Sequence, residues 1–151
     1  NASETDKTIA QALQQMWREG LGVDVQLTNQ DYKVYLDTMN ALDYDLARSI
    51  WIGDVIDPVN FLECFLTDGG NNRTGWSLPA FDQQLAAAYA EPDAAKRLAF
   101  LQQAETILLD EAPLTPLFFM TQKYLQATRV QNVQPNVLGM LGWRDIALGA
   151  P

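Results

Sequence analysis

Two short runs separated by a helix-length interval constrain this chain more than any other feature of it. In "VDVQL", Val23, Val25 and Leu27 alternate with Asp24 and Gln26, the two-residue period of a half-buried strand. "YDLARSIWI", Tyr44 to Ile52, is β-branched and aromatic enough to be the next strand. Between them Tyr32, Tyr35, Leu36 and Met39 recur on one helical face. A strand, a helix of about eleven residues and a strand form a βαβ unit, with parallel strands and a right-handed crossover. The expectation is an α/β fold.

Ahead of that unit, Ser3 to Asp6 reads as a capping box with Asp in place of Glu or Gln. Ile9, Leu13, Met16 and Trp17 then share one apolar stripe, and Gly20 suits the helix stop. Beyond it, Pro58 opens a short helix to about Leu66, and "TDGGNNRTG", Thr67 to Gly75, is turn chemistry throughout and hence a surface loop. Two helices follow, from about Pro79 to Tyr89 and from Asp93 to Glu111, the second carrying Leu98, Leu101, Ala104, Ile107 and Leu108 inward. "APLTPLFFMTQKYLQAT" reads as a long strand or a bent pair, with Pro113 and Pro116 confined to its beginning. The tail from Arg129 is irregular. The first helix starts so near Asn1 that no strand can lead into it, so the sequence reads as one domain cut out of something larger.

Composition excludes whole classes of function. At 151 residues the chain is one domain by size, and its net charge of −9 repels phosphate backbones and anionic lipid. No apolar run approaches the ~18–20 residues of a membrane span, and no signal segment stands at the start. Histidine is absent and Cys64 is the lone cysteine, which removes histidine-based nucleophilic sites, multi-cysteine metal sites and any internal disulfide. Cys64, in "FLECFL", reads as a small core hydrophobe. No cofactor or metal is implied. The aspartate pairs Asp43/Asp45 and Asp54/Asp57 have the look of a glycosidase pair, but nothing in the sequence encloses them, and the chain is not expected to be an enzyme.

The end of the second strand is where a ligand belongs. In open α/β sheets, ligands bind outside the carboxyl ends of the parallel strands. "WIGD" stands there, placing Trp51, Gly53 and Asp54 at the site. A carboxylate binds ammonium groups, an indole offers a flat apolar wall, and glycine lets another backbone approach. Plainer roles also fit: core packing for Trp51, a turn cap for Asp54, an awkward dihedral for Gly53. Asp57 and Pro58 read as the N-cap and first residue of the next helix. Arg48, on the strand face of Leu46 and Ile50, either pairs with Asp43 or Asp45 or binds a carboxylate in the cleft. The loop "GGNNRTGW" offers backbone and amide groups, Asn72 among them.

These residues resemble a known family. "DLARSIWIGDVIDPVNFLECFLT" followed by "NNRTGWSLPAFDQQLAAA" is similar to the C-terminal lobe of the oligopeptide/dipeptide-type solute-binding proteins of bacterial ABC importers, extracellular solute-binding protein family 5. The family's run is a strand ending Trp-x-x-Asp, then Asp-Pro-x-x-Phe-Leu, a loop with Asn and an aromatic, and Pro-x-Phe-Asp opening a helix. Here these are Trp51, Asp54, Asp57, Pro58, Phe61 and Leu62, then Asn72, Trp76, Pro79, Phe81 and Asp82. The resemblance covers nearly the whole chain. It implies one lobe of a two-lobe, type II periplasmic-binding-protein-like fold, a mixed open sheet flanked by helices. The implied function is capture of di- or oligopeptides outside the cytoplasmic membrane, between this lobe and a missing N-terminal lobe, for delivery to permease subunits. The location is then periplasmic, or extracytoplasmic on a lipid anchor.

It further implies that Asp54 pairs with the peptide's α-ammonium, that the backbone of Ile50 to Ile52 runs beside the peptide as an added strand, and that Arg48 meets a short peptide's carboxylate. The sequence departs from the family in two places. Ile52 stands where some oligopeptide binders carry a disulfide cysteine, and Val55-Ile56-Asp57 replaces the common Tyr-x-Asp. The family also holds binders of nickel complexes, glutathione and sugars, so a non-peptide ligand is the alternative. A small acidic protein-interaction module is the reading from a different class.

Overall fold

A computed structural model describes residues 4–121, 123–134 and 136–149. The chain divides into two compact units, Asn1–Ala47 and Arg48–Pro151, each described here by itself.

The first unit is two helices and their connections. α1 spans Glu4–Leu21, with Glu4 and Asp6 in its first turn, where the helix dipole favours anions, and Arg18 in its last. The Ser3 half of the expected capping box lies outside the described residues. Ile9, Leu13 and Trp17 are half-buried as the stripe requires, whereas Met16 is exposed. The stop is Gly22 rather than Gly20. Gly22 takes φ +68°, the left-handed conformation glycine adopts without strain, and its amide still donates to the Arg18 carbonyl at 3.2 Å. α2 spans Tyr32–Asn40, opened by Asp31, whose carboxylate accepts the Lys33 amide at 3.0 Å. Its one buried residue is Met39.

The second unit is built on a helical hairpin. α3 is one turn, Val59–Leu62, continued by a 3-10 turn at Glu63–Phe65. α4 (Pro79–Ala90) begins with proline in its first turn, where the missing N–H costs nothing. α5 (Ala94–Glu111) is capped by Asp93, which accepts from the Ala95 and Lys96 amides at 3.1 and 2.9 Å. The core joins Phe81, Leu85 and Ala88 of α4, Leu101, Ala104 and Leu108 of α5, and Val59 and Leu62 of α3. Trp76 meets the Phe81 ring edge-on at 5.1 Å. Leu98, expected inward, is exposed; Phe100 packs against the core instead.

The α/β class stands, but the strands are not where the alternation pointed. Among the described residues the sheet is the antiparallel pair β1 (Val130–Gln131) and β2 (Ala147–Leu148), in the tail read as irregular. Val23–Leu27, Tyr44–Ile52 and the described part of 112–128 join no ladder. The physical reason is that alternation specifies which faces are apolar, whereas a strand exists only where a neighbour supplies its hydrogen bonds. The apolar side chains of these runs are correspondingly exposed, among them Leu27, Ile52, Phe119 and Leu125.

Candidate functional site

The residues from Arg48 to Asp57 form a run with a free middle and a fastened end. Among the described residues no hydrogen bond engages the backbone groups of Ile50, Trp51 or Ile52. Ile52 is 73% exposed and Trp51 40%, so the indole is not core. Arg48 is half-buried. The run ends at Gly53, where a Cβ would stand 3.1 Å from the Phe61 ring and 3.4 Å from Asn60 Oδ1. Glycine is needed there for close approach and not for an unusual dihedral. The Asp54 amide then donates to Asn60 Oδ1 at 2.7 Å. The Asp54 carboxylate is exposed and makes no hydrogen bond or ion pair to another described residue, so it does not cap its own turn.

Asp57 has the opposite fate. Its Oδ1 accepts the Val59 amide at 2.9 Å, so it helps to open the helix as expected, but one position earlier: the N-cap is Pro58 and not Asp57, and Val59 is the first helical residue. Both of its oxygens also meet the Arg97 guanidinium, each at 3.0 Å. That fork-to-fork bond to Arg97 is the main reason its carboxyl titrates below the usual range; the Val59 amide adds to it and partial burial opposes it. Held ionised by arginine, Asp57 lacks the raised pKa that the acid of a glycosidase pair requires.

Asn72, expected among the ligand-binding residues, turns its polar atoms to its own loop. Its Nδ2 faces the carbonyls of Phe65, Leu66 and Trp76 at 3.2, 3.1 and 2.9 Å. Its Oδ1 accepts the Thr74 amide at 3.2 Å and the Thr74 hydroxyl at 2.8 Å. Among the described residues no group of three or more Asp, Glu or Cys side chains could hold a metal ion.

Three residues whose side chains are bonded into or behind the Asp54 turn escaped the sequence reading. Asn60 is buried between Val59 and Leu62, and a polar side chain inside that apolar run was the available signal. Glu63 and Tyr89, bonded at 2.6 Å, lie 26 residues apart, and no spacing rule links them.

Comparison with known proteins places the chain. The family described as bacterial extracellular solute-binding proteins, family 5 Middle, matches residues 1–73. The oligopeptide-binding protein OppA of Bacillus subtilis is 42% identical over 134 residues, 88% of this chain and 25% of that protein. The solved murein tripeptide binding protein MppA of Escherichia coli matches with a TM-score of 0.71 and 39% identity, over 74% of this chain and 22% of that one. Haemophilus influenzae OppA, solved in complex with RPPGFSPFR, matches with a TM-score of 0.68 and 37% identity, over 72% of this chain and 21% of that one. The chain thus spans about a quarter of the length of the relatives it matches. Motif order, identity and fold agree: the chain belongs to the bacterial extracellular solute-binding proteins of family 5.

Proposed function

We propose that this chain is the C-terminal ligand-binding lobe of the substrate-binding component of an ABC importer, which captures di- and oligopeptides outside the cytoplasmic membrane and delivers them to the permease. The observation that carries the reading is the run Ile50–Asp54: the backbone of Ile50 to Ile52 makes no hydrogen bond among the described residues, and the run ends in an exposed carboxylate on a fastened turn. An extended peptide satisfies such a backbone by adding a strand, and its α-ammonium pairs with the carboxylate. The relatives' names, oligopeptide-binding and murein tripeptide binding, support the same ligand class.

Each residue then has a task. Asp54 anchors the ammonium, Ile50, Trp51 and Ile52 offer main chain, and the Trp51 indole forms an apolar wall. Gly53 allows the close approach to Phe61 that the turn needs, and Arg48 receives the far carboxylate of a short peptide. Asn72 serves the site by fixing the loop before α4. The work is binding, not catalysis, with no cofactor. The partners are the peptide, an N-terminal lobe that closes over it and the permease subunits. The location is periplasmic, or extracytoplasmic on a lipid anchor. Among the described residues no helix is long and apolar enough to cross a membrane.

The test is Asp54→Asn in the full-length binding protein, read by titration calorimetry. A hydrogen bond to a charged group is worth ~1.5–3 kcal/mol, so affinity for free-amine peptides falls roughly 10- to 150-fold while N-acetylated peptides lose little. Equal losses for both peptides would show that Asp54 only shapes the turn.

A further inference from the structure

The turn that carries Asp54 is fastened from beneath by a buried amide. Asn60 is 6% exposed and stands as a polar side chain among the buried apolar ones. Its Oδ1 accepts the Asp54 amide at 2.7 Å, and its Nδ2 donates to Glu63 Oε1 at 2.8 Å. The other oxygen of that carboxylate, Oε2, accepts the Tyr89 hydroxyl at 2.6 Å. A carboxamide has a donating end and an accepting end, and its neighbours decide which faces where. Glu63 is an acceptor, so the NH2 group must turn toward it. The carbonyl is then left facing the Asp54 N–H, the donor it satisfies. Reversal would set the NH2 against that N–H and an oxygen against a carboxylate.

Tyr89, on α4, keeps this polarity in force. Its hydrogen bond to Glu63, with burial and the charge of Glu63 adding, pushes the phenol up to about 12, so the hydroxyl remains a donor across the physiological range. The relay therefore runs from the core helix α4 through Glu63 and Asn60 to the main chain of Asp54. Because no side chain among the described residues makes a hydrogen bond or ion pair to the Asp54 carboxylate, the backbone that Asn60 holds sets its place.

We propose that Asn60, oriented by Glu63 and Tyr89, is a positioning residue that fixes where the Asp54 carboxylate stands, and thereby sets how strongly the protein prefers ligands with a free α-ammonium. The proposal rests on the reading of Asp54 as the ammonium anchor, and it adds the residues that make the anchor selective. A carboxylate free to wander still binds an ammonium, but it pays the ordering cost on every binding event and discriminates less.

The experiment measures, in the full-length protein, the ratio of affinities for a peptide and its N-acetylated form. Asp54→Asn collapses the ratio if the anchor reading holds. Asn60→Leu, similar in volume but without the amide, lowers the ratio by up to about tenfold, the scale of one lost hydrogen bond. Glu63→Ala, at a partly exposed position, lowers it too and remains informative should Asn60→Leu fail to fold. Glu63→Gln brings the ratio back toward wild type, because its amide oxygen still accepts from Asn60. If Asp54→Asn collapses the ratio while Asn60→Leu or Glu63→Ala weakens both peptides in parallel, or neither, the relay is structural and the proposal falls. If Asp54→Asn leaves the ratio intact, the anchor reading itself falls and the proposal with it.

Discussion

Removing the Asn72 side chain separates a residue that holds a wall from one that touches a ligand. In Asn72→Ala, the carbonyls of Phe65, Leu66 and Trp76 lose a donor, and the Thr74 amide and hydroxyl lose an acceptor. The NH2 group has two hydrogens for its three carbonyls, so one contact is shared, and about four net bonds are at stake. At roughly 1 kcal/mol each the ceiling is ~4 kcal/mol, and partial rehydration of this half-buried loop brings the expected loss to ~2–3 kcal/mol. Most of that loss is local. The Trp76 amide is protected by the Thr74 hydroxyl at 3.1 Å, which in turn donates to Asn72, so both Thr74 and Trp76 lose their anchor together. The assay is amide hydrogen exchange of the full-length protein across residues 67–76, beside peptide titration. Exchange at Thr74 and Trp76 should accelerate by about 30- to 150-fold, the Boltzmann equivalent of that free energy, while peptide affinity changes far less. Asn72→Asp should do no better, since it sets a carboxylate against three carbonyls. Unchanged exchange together with a tenfold loss of peptide affinity would refute this argument and return Asn72 to the ligand.

Three further outcomes follow from the second unit. Phe81 is fully buried, so Phe81→Ala should cost ~3–5 kcal/mol by cavity formation, and Phe81→Leu much less; equal urea midpoints for the two would contradict its place in the core. The lowered pKa of Asp57 stabilises the fold above its ordinary value of 3.8, and that contribution is lost as pH falls from there through the depressed folded value. Arg97→Leu should therefore unfold more easily than wild type at neutral pH, with the gap closing in acid; a gap independent of pH would mean that the ion pair is not its source. Burial and the nearby carboxylates of Glu63 and Asp54 push the Cys64 thiol up to about 11, so at pH 8 about one thiol in a thousand is ionised. Alkylation should be slow in the native state and fast in urea, and equal rates would show that the turn at Glu63–Phe65 opens freely.

Short-range chemistry was legible, and partnership across distance was not. The helix starts at Pro79 and Asp93 follow from a proline and a cap that act within one turn, and the structure places them within a residue of the reading. The stop after α1 went to Gly22 and not Gly20, because both are glycines and only the backbone decides which turns left-handed. Leu98 and Phe100 exchange roles for a similar reason: the helical period marks a face about 100° wide, and packing against α4 chooses its centre. Asp57 was read as a helix opener, yet Arg97, 40 residues on, gives it a second task that no local pattern encodes.

The unladdered strand-like runs and the Asn60 relay are two parts of one argument. Fixing one residue's backbone costs roughly 1–2 kcal/mol, so a peptide that must order a loose run as it binds loses much of what its main-chain hydrogen bonds supply. β-branched residues restrict their own backbone toward the extended region, and Ile50 and Ile52 flank Trp51 in just that run. Composition therefore lowers the ordering cost along the run, and the 2.7 Å bond from the Asp54 amide to Asn60 removes it at the end where the charge sits. A fixed charge and an extended edge select ligands differently, the first by a free amine and the second by main chain alone. Tolerance of side-chain sequence with strictness at the amino terminus is the specificity such a site would have.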